Sequence, residues 1–199
     1  DDIDFDALPN QFVLKCNHNS GTGMCICRDK SKLDIEKVKA ELRKGLKENY
    51  FMRWREWPYK NVPRKILAEK FMVDESGTEL KDYKIFCFNG EPRYCQVISD
   101  RHTDEKIDFY DMHWKRLVGL VGLNDKVHNS EYAIPCPESF EDMKLMASLL
   151  AKSIPFSRID FYEINHQAYF GEITFFPATG FGNFNPREWN VKMGDMITL

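Results

Sequence analysis

Residues 158 to 174 read Arg158-Ile159-Asp160-Phe161-Tyr162-Glu163-Ile164-Asn165-His166-Gln167-Ala168-Tyr169-Phe170-Gly171-Glu172-Ile173-Thr174. Apolar and polar residues alternate on both sides of Asn165-His166-Gln167, the mark of two strands joined by a turn. Side chains along a strand point to alternate faces, so Arg158 shares a face with Asp160, and Glu172 with Thr174. Pairing across the turn would set two carboxylates, a guanidinium and a hydroxyl on one sheet face. Two carboxylates supply the hard oxygen donors that magnesium uses beside nucleotide phosphates, and a guanidinium suits the charge on a transferring phosphoryl group. The same alternation also describes a solvated face laced with charge pairs.

Further strands lie upstream. Tyr83 to Phe88 and Arg93 to Ile98 flank Asn89-Gly90, the strongest short hairpin signal, and Ile107 to Asp111 predicts another strand. Glu138 to Ile154 carries apolar residues at Phe140, Met143, Leu145, Met146, Leu149 and Leu150 and predicts an amphipathic helix. Asn185 to Leu199, opened by Pro186, predicts a closing helix over the sheet.

The N-terminal part repeats the theme. Phe12 to Cys16 and Met24 to Cys27 predict a hairpin with a wide turn, Leu33 to Asn49 a helix, and Ile66 to Met72 a strand. Arg53 to Arg64 has no clean period and predicts an ordered connection, in which Trp54, Trp57 and Tyr59 serve core packing or stack on a sugar. Polar residues from Val73 to Lys81, with Ser76-Gly77-Thr78, mark a boundary. The expectation is α+β, in two subdomains spanning 1–73 and 74–199, each built of antiparallel hairpins backed by helix.

A second candidate constellation is Lys15 followed by the loop His18-Asn19-Ser20-Gly21-Thr22-Gly23. Glycine lets backbone N–H groups close on phosphate oxygens, and Lys15 adds a point charge beside them. Ser-Gly-Thr-Gly serves equally as a hairpin turn. The spacing does not match the eight-residue Walker pattern, which excludes a P-loop reading.

The 199 residues carry a net charge of −3, which gives no general field for nucleic acid. The segment from Asp29 to Lys65 is locally basic, twelve Lys/Arg against six Asp/Glu, which suits a solvated helix face or an anionic substrate. Of the six cysteines, Cys25 and Cys27 have no second Cys/His pair at zinc-finger spacing, and the others need no disulfide. His102, His113 and His128 sit in polar loop contexts as surface residues. No apolar stretch reaches the roughly 18 residues needed to cross a bilayer, and the acidic start lacks a signal-peptide pattern, so the expected location is cytoplasmic. The abrupt start suggests a missing N-terminal region.

In their order along the chain, these features resemble the ATP-grasp superfamily. Lys15 and the glycine-rich loop match its N-terminal lysine and phosphate loop, contributing Lys15, Ser20, Gly21 and Gly23. Ile66 to Met72 looks like its hinge strand, with Glu69, Phe71 and Met72 against adenine. Asp82-Tyr83-Lys84 matches the acidic ribose-side residue and basic phosphate contact, and Arg101 a basic residue found in related ligases. Arg158, Asp160 and Glu172 match the distal arginine and magnesium ligands; the family usually has Asn where Thr174 stands, at the third metal contact. Phe12-Val13-Leu14-Lys15-Cys16-Asn17-His18, Asp82 to Gly90, Phe170 to Pro177 and Gly180 to Trp189 are similar to the branch typified by teichuronopeptide-biosynthesis proteins.

The resemblance implies an ATP-grasp fold whose two subdomains clamp ATP with Mg2+. It implies a carboxylate–amine ligase working through an acyl phosphate in capsule or cell-surface polysaccharide biosynthesis. The partners would be a small-molecule or sugar-linked carboxylate, such as a uronic acid, and an amine, with no nucleic acid and no membrane span. Arg101 and Arg158 would steady the transferred phosphoryl group. The alternatives are a glycosyltransferase or sugar kinase of the same setting, or a non-catalytic nucleotide- or polysaccharide-binding module.

Overall fold

The computed structural model describes residues 3–74, 80–100, 103–124 and 126–199. The chain divides into two compact units, Asp1–Met72 and Val73–Leu199. Among the described residues no helix is long and apolar enough to cross a membrane.

In the first unit, β1 (Phe12–Cys16), β2 (Met24–Cys27), α1 (Ile35–Lys47), α2 (Tyr50–Trp54) and β3 (Ile66–Lys70) follow in order. The strands form an antiparallel sheet in the order β2-β1-β3. Alternation in β1 sends Phe12, Leu14 and Cys16 inward, where Phe12 and Leu14 meet Val38 and Leu42 of α1. Asp34 caps α1 by accepting from the Lys37 N–H. The hinge-like strand stops at Lys70, two residues short of the Met72 expected from sequence. The connection after α1 contains the short helix α2, and its aromatics do not fill a core: Trp54 and Trp57 are exposed, while Tyr59 is half-buried against Tyr50. Guanidinium and ammonium groups cover their faces instead, Arg53 over Trp54 and Lys60 over Trp57.

The second unit contains β4 (Asp82–Phe88), β5 (Glu91–Ser99), β6 (Lys106–Asp111), β7 (Val121–Gly122), α3 (Phe140–Leu150), β8 (Phe156–Ile164), β9 (Gln167–Thr174), β10 (Phe184–Asn185) and α4 (Glu188–Gly194). Five strands form one antiparallel sheet in the order β6-β5-β4-β8-β9. The hairpins β4–β5 and β8–β9 turn at Asn89-Gly90 and Asn165-His166, all four residues with positive φ, as a two-residue type I′ turn requires. The short pair β7–β10 is invisible to a two-residue periodicity and was not expected from sequence.

The large sheet has two unlike faces. One packs Ile85, Cys95, Val97, Ile159 and Phe161 against Phe140, Met143 and Ala147 of α3. The helix therefore buries a narrower stripe than its sequence suggested, and Leu145, Leu149 and Leu150 are exposed. The opposite face carries a second apolar cluster, with Phe86, Phe88, Phe109 and Phe184 joined by Met193 of α4. This is the face that also bears the charged residues.

Two backbone features shape that face. In the β8–β9 ladder Phe161 faces Phe170 but Asp160 faces Glu172, so Gly171 is an extra, bulged residue. A methyl group there would stand 3.2 Å from the Asp160 carbonyl oxygen, so glycine allows the close approach. Beyond β9, Ala178, Thr179 and Gly180 take φ values of 47°, 59° and 79° in succession. Left-handed backbone costs about 1–2 kcal/mol per non-glycine residue, so surrounding structure must hold this turn in place.

Candidate functional site

The loop of the first unit is tied to α1. The Asn19 side-chain amide donates to the Gly45 carbonyl at 3.2 Å, the Thr22 hydroxyl donates to Glu48, and the Gly23 N–H donates to Glu41 at 3.4 Å. Gly23 has φ 64°, and a methyl there would stand 2.8 Å from Gly45 Cα and Cys16 Sγ. Asn17 fixes the other end of the loop to Pro63 and Lys65. Between these anchors Ser20 and Gly21 are exposed, and the N–H groups of Ser20, Gly21 and Thr22 donate to nothing among the described residues.

Buried polar side chains usually find partners. Among the described residues four buried side-chain polar atoms have none, and three lie in this loop: both imidazole nitrogens of His18 and Oδ1 of Asn19. His18, 3% exposed, is the first residue of the loop that the sequence singled out, though no individual role was expected of it. Such orphaned polar atoms and free N–H groups fit a polar ligand carrying both acceptors and donors, as a nucleotide does.

Lys15 lies on the sheet face opposite α1 and pairs with Glu69 at 2.9 Å. Its cross-strand neighbours are Met24 on β2 and Leu67 on β3, both exposed, and Ile26 stands exposed beside them. The first unit thus presents a half-apolar platform with a cation–carboxylate pair in it. The structure therefore brings Lys15 and Glu69 together; Phe71 and Met72 are half-buried beyond the strand end, with Arg28 over the Phe71 ring at 5.3 Å.

In the second unit the register assembles the charged face. Lys84 on β4 is paired with Asp160 on β8, which is paired with Glu172 on β9, and Arg158 with Thr174. Arg158 grips both Asp160 oxygens, Nε to Oδ1 and Nη2 to Oδ2 at 2.7 Å each. Its Nη2 also reaches Glu172 at 3.3 Å and the Thr174 hydroxyl at 3.2 Å, and that hydroxyl donates to Glu172 at 3.0 Å. Lys84 donates to Asp160 and lies 3.7 Å from Asp82.

Asp82, Lys84 and Asp160 are buried, whereas the Glu172 side chain is 59% exposed. Burial alone would lower the Arg158 pKa, but the Asp160 charge and hydrogen bonds, with Glu172 and Asp82 behind them, carry it above its ordinary value. The guanidinium is permanently charged. Asp82, expected beside a ribose, and Lys84, expected on a phosphate, both stand within this ionic cluster.

Among the described residues Asp160 and Glu172 share the Arg158 guanidinium, and Glu172 Oε2 has no partner. That donor set fits magnesium, which keeps several waters and takes one or two carboxylates together with nucleotide phosphates. Asp160 already accepts from two cations, so Glu172 is the more available ligand. Among the described residues no group of three His, Cys, Asp or Glu could hold a metal ion by itself. Arg101 lies outside the described residues. His113 and His128 are exposed, as their loop contexts suggested.

Two α+β units built on antiparallel sheets, one with an anchored glycine loop and the other with a carboxylate–guanidinium face, are the components of an ATP-grasp protein. The TupA-like ATP-grasp family model matches residues 1–198, and the chain belongs to that family. No curated protein matches it.

Among solved structures, a D-alanine–D-alanine ligase from Bacillus anthracis is similar over 99% of this chain and 56% of its own, with 18% identity and a TM-score of 0.49. The Bacillus anthracis ligase complexed with ATP matches 82% of this chain and 39% of its own, with 18% identity and a TM-score of 0.42. The corresponding Helicobacter pylori ligase covers 87% and 44%, with 12% identity and a TM-score of 0.43. The chain therefore spans about half the length of these ligases or less.

Proposed function

We propose that this protein is an ATP- and magnesium-dependent carboxylate–amine ligase, with residues 1–73 and 74–199 as the small and large ATP-grasp subdomains. The observation that carries the reading is the ionic face of β4, β8 and β9, where the exposed Glu172 stands directly across the ladder from Asp160, beside Arg158 and Thr174. The orphaned polar atoms of His18 and Asn19 support a nucleotide on the glycine loop. The resemblance supports a place in capsule or cell-surface polysaccharide biosynthesis.

In this mechanism the loop N–H groups of Ser20, Gly21 and Thr22 and the Lys15 ammonium bind phosphate oxygens. The platform of Met24, Ile26 and Leu67 accepts the base, with Glu69 and the backbone of Phe71 and Met72 at its edge. Magnesium, held by Glu172 and Asp160 beside Thr174, would supply charge neutralisation across the phosphates. Lys84 fixes the Asp160 carboxylate, and Arg158 presents a permanent positive charge to the transferring phosphoryl group. Such chemistry needs positioning and charge stabilisation more than a strong base.

The test is release of ADP and phosphate with acid and amine supplied singly and together. Release that requires both supports the ligase. Release with a single hydroxyl acceptor makes the protein a kinase, and failure of magnesium-ATP to raise the thermal midpoint removes nucleotide binding altogether.

A further inference from the structure

The charged face of the large sheet changes character along its strands. On β4 the same face carries Asp82, Lys84, Phe86 and Phe88 in sequence, and on β8 it carries Asp160, Arg158 and Phe156. Phe86 is the direct register partner of Arg158, so the ionic cluster gives way to aromatic rings within one residue pair. Beyond that pair a cavity of about 520 Å³ opens, within the roughly 300–1,000 Å³ of small-molecule sites. Phe86, Phe156, Phe175, Phe176, Phe181 and Phe184 line it.

The strained left-handed turn Ala178-Thr179-Gly180 lies in the segment that forms its wall. Strain of this kind clusters where a fold holds a ligand.

The cavity offers little to a hydroxylated ring. Its two polar side chains are Asn183 and Asn190. Asn190 Oδ1 accepts from the Phe184 N–H at 2.9 Å, and Asn190 Nδ2 donates to Asn183 Oδ1 at 3.5 Å. Aromatic rings make up most of the side chains that a ligand would meet here, which favours apolar groups over hydroxyls. At the ionic end, Arg158 uses Nε and Nη2 toward Asp160, Glu172 and Thr174, leaving Nη1 with no partner among the described residues.

We infer that the acid substrate carries an aliphatic or aryl group, which this cavity holds while its carboxylate lies toward Arg158 Nη1. This rests on the ligase reading for the role of the carboxylate, and it stands as the alternative to the uronic acid suggested by the sequence.

The experiment is equilibrium binding of butanoate, hexanoate, octanoate and 4-phenylbutanoate to the full chain by calorimetry, with glucuronate and octylamine as comparators. Affinity should rise roughly three- to fourfold for each buried methylene, exceed that of octylamine at equal length, and be undetectable for glucuronate. Phe181→Asp and Ile197→Asp, both at positions exposed enough to accept a charge, should flatten the dependence on length. Phe181→Leu should preserve it.

Affinity independent of chain length, binding of glucuronate as tight as octanoate, or a length dependence untouched by both aspartate variants would each overturn the inference. A concentration-dependent dimer that buries Phe181 while no alkanoate binds would overturn it in favour of a self-interface. Octanoate binding in a protein that never releases ADP would sink the ligase reading and leave the cavity assignment standing.

Discussion

Arg158 holds Asp160 by its Nε and Nη2 edge, two parallel hydrogen bonds of 2.7 Å to a carboxylate that is 2% exposed. A fork of this kind combines charge with fixed geometry, which an ammonium cannot reproduce. Removing the guanidinium leaves a buried charge with Lys84 as its one remaining cation among the described residues. Arg158→Ala should therefore cost about 3–5 kcal/mol of stability. Arg158→Lys should recover most of that in urea unfolding, yet lower ATP turnover at least about a hundredfold, like the loss of one charge-stabilising donor. Equal stability losses for the two variants would mean that the charge of residue 158 contributes nothing to the fold.

Glu172 is the opposite case, exposed and directly across the ladder from Asp160. Glu172→Gln should change stability by less than about 0.5 kcal/mol. If its free oxygen binds magnesium, the metal concentration for half-maximal turnover should rise at least tenfold. An unshifted magnesium titration would remove Glu172 from the metal site.

Gly21 and Gly23 share positive φ but not surroundings. Around Gly21 the space is open, while Gly23 lies against Gly45 and Cys16. Gly21→Ala should cost about 1 kcal/mol from backbone strain alone. Gly23→Ala adds overpacking and should lose about 2–4 kcal/mol. Thermal unfolding of the two variants, compared at one pH, reads the difference.

Alkaline stability follows from thiols buried on the α3 face of the sheet. Burial pushes the Cys87 thiol up to about 12 and raises Cys95 further, the latter aided by the nearby Asp160 charge. In the unfolded chain both ionise near pH 8.5. A folded pKa above the unfolded one gives a contribution fully present below pH 8.5 and lost as pH climbs toward the folded value. Unfolding free energy should therefore fall between about pH 9 and 11, by up to about 1.4 kcal/mol per pH unit for each thiol. Cys87→Ala and Cys95→Ala, measured against their own values at pH 7, should each remove one increment of that slope.

Much of the sheet was legible because period-two alternation, the Asn89-Gly90 turn and the Asn165-His166-Gln167 connection mark both hairpins, although Gln167 is already in β9. Asp160, Glu172, Arg158 and Thr174 do share a face, as a three-residue turn would have it, but alternation counted from the observed two-residue turn would not put them there. Counting back from Ile164 opposite Gln167 sets Asp160 opposite Gly171 and turns Glu172 toward α3. The bulge at Gly171 shifts the register by one and returns Glu172 to the charged face. A lone glycine in an alternating strand is the only sequence sign of it.

The exposed Trp54 and Trp57 were misread because aromatic content suggests burial without saying which rings a short helix can turn inward. The burial of Asp82 and Lys84 was hidden for a related reason. Strand periodicity assigns faces, not what covers them.

The contact between Gly23 and Gly45 makes the loop and the end of α1 a single lever. Any change in loop shape that accompanies occupancy must pass into the last turn of the helix, where Lys44 and Lys47 stand in solvent. An environment-sensitive dye on either lysine would then signal ligand arrival from outside the site, turning a steric constraint into a reporter of the working protein.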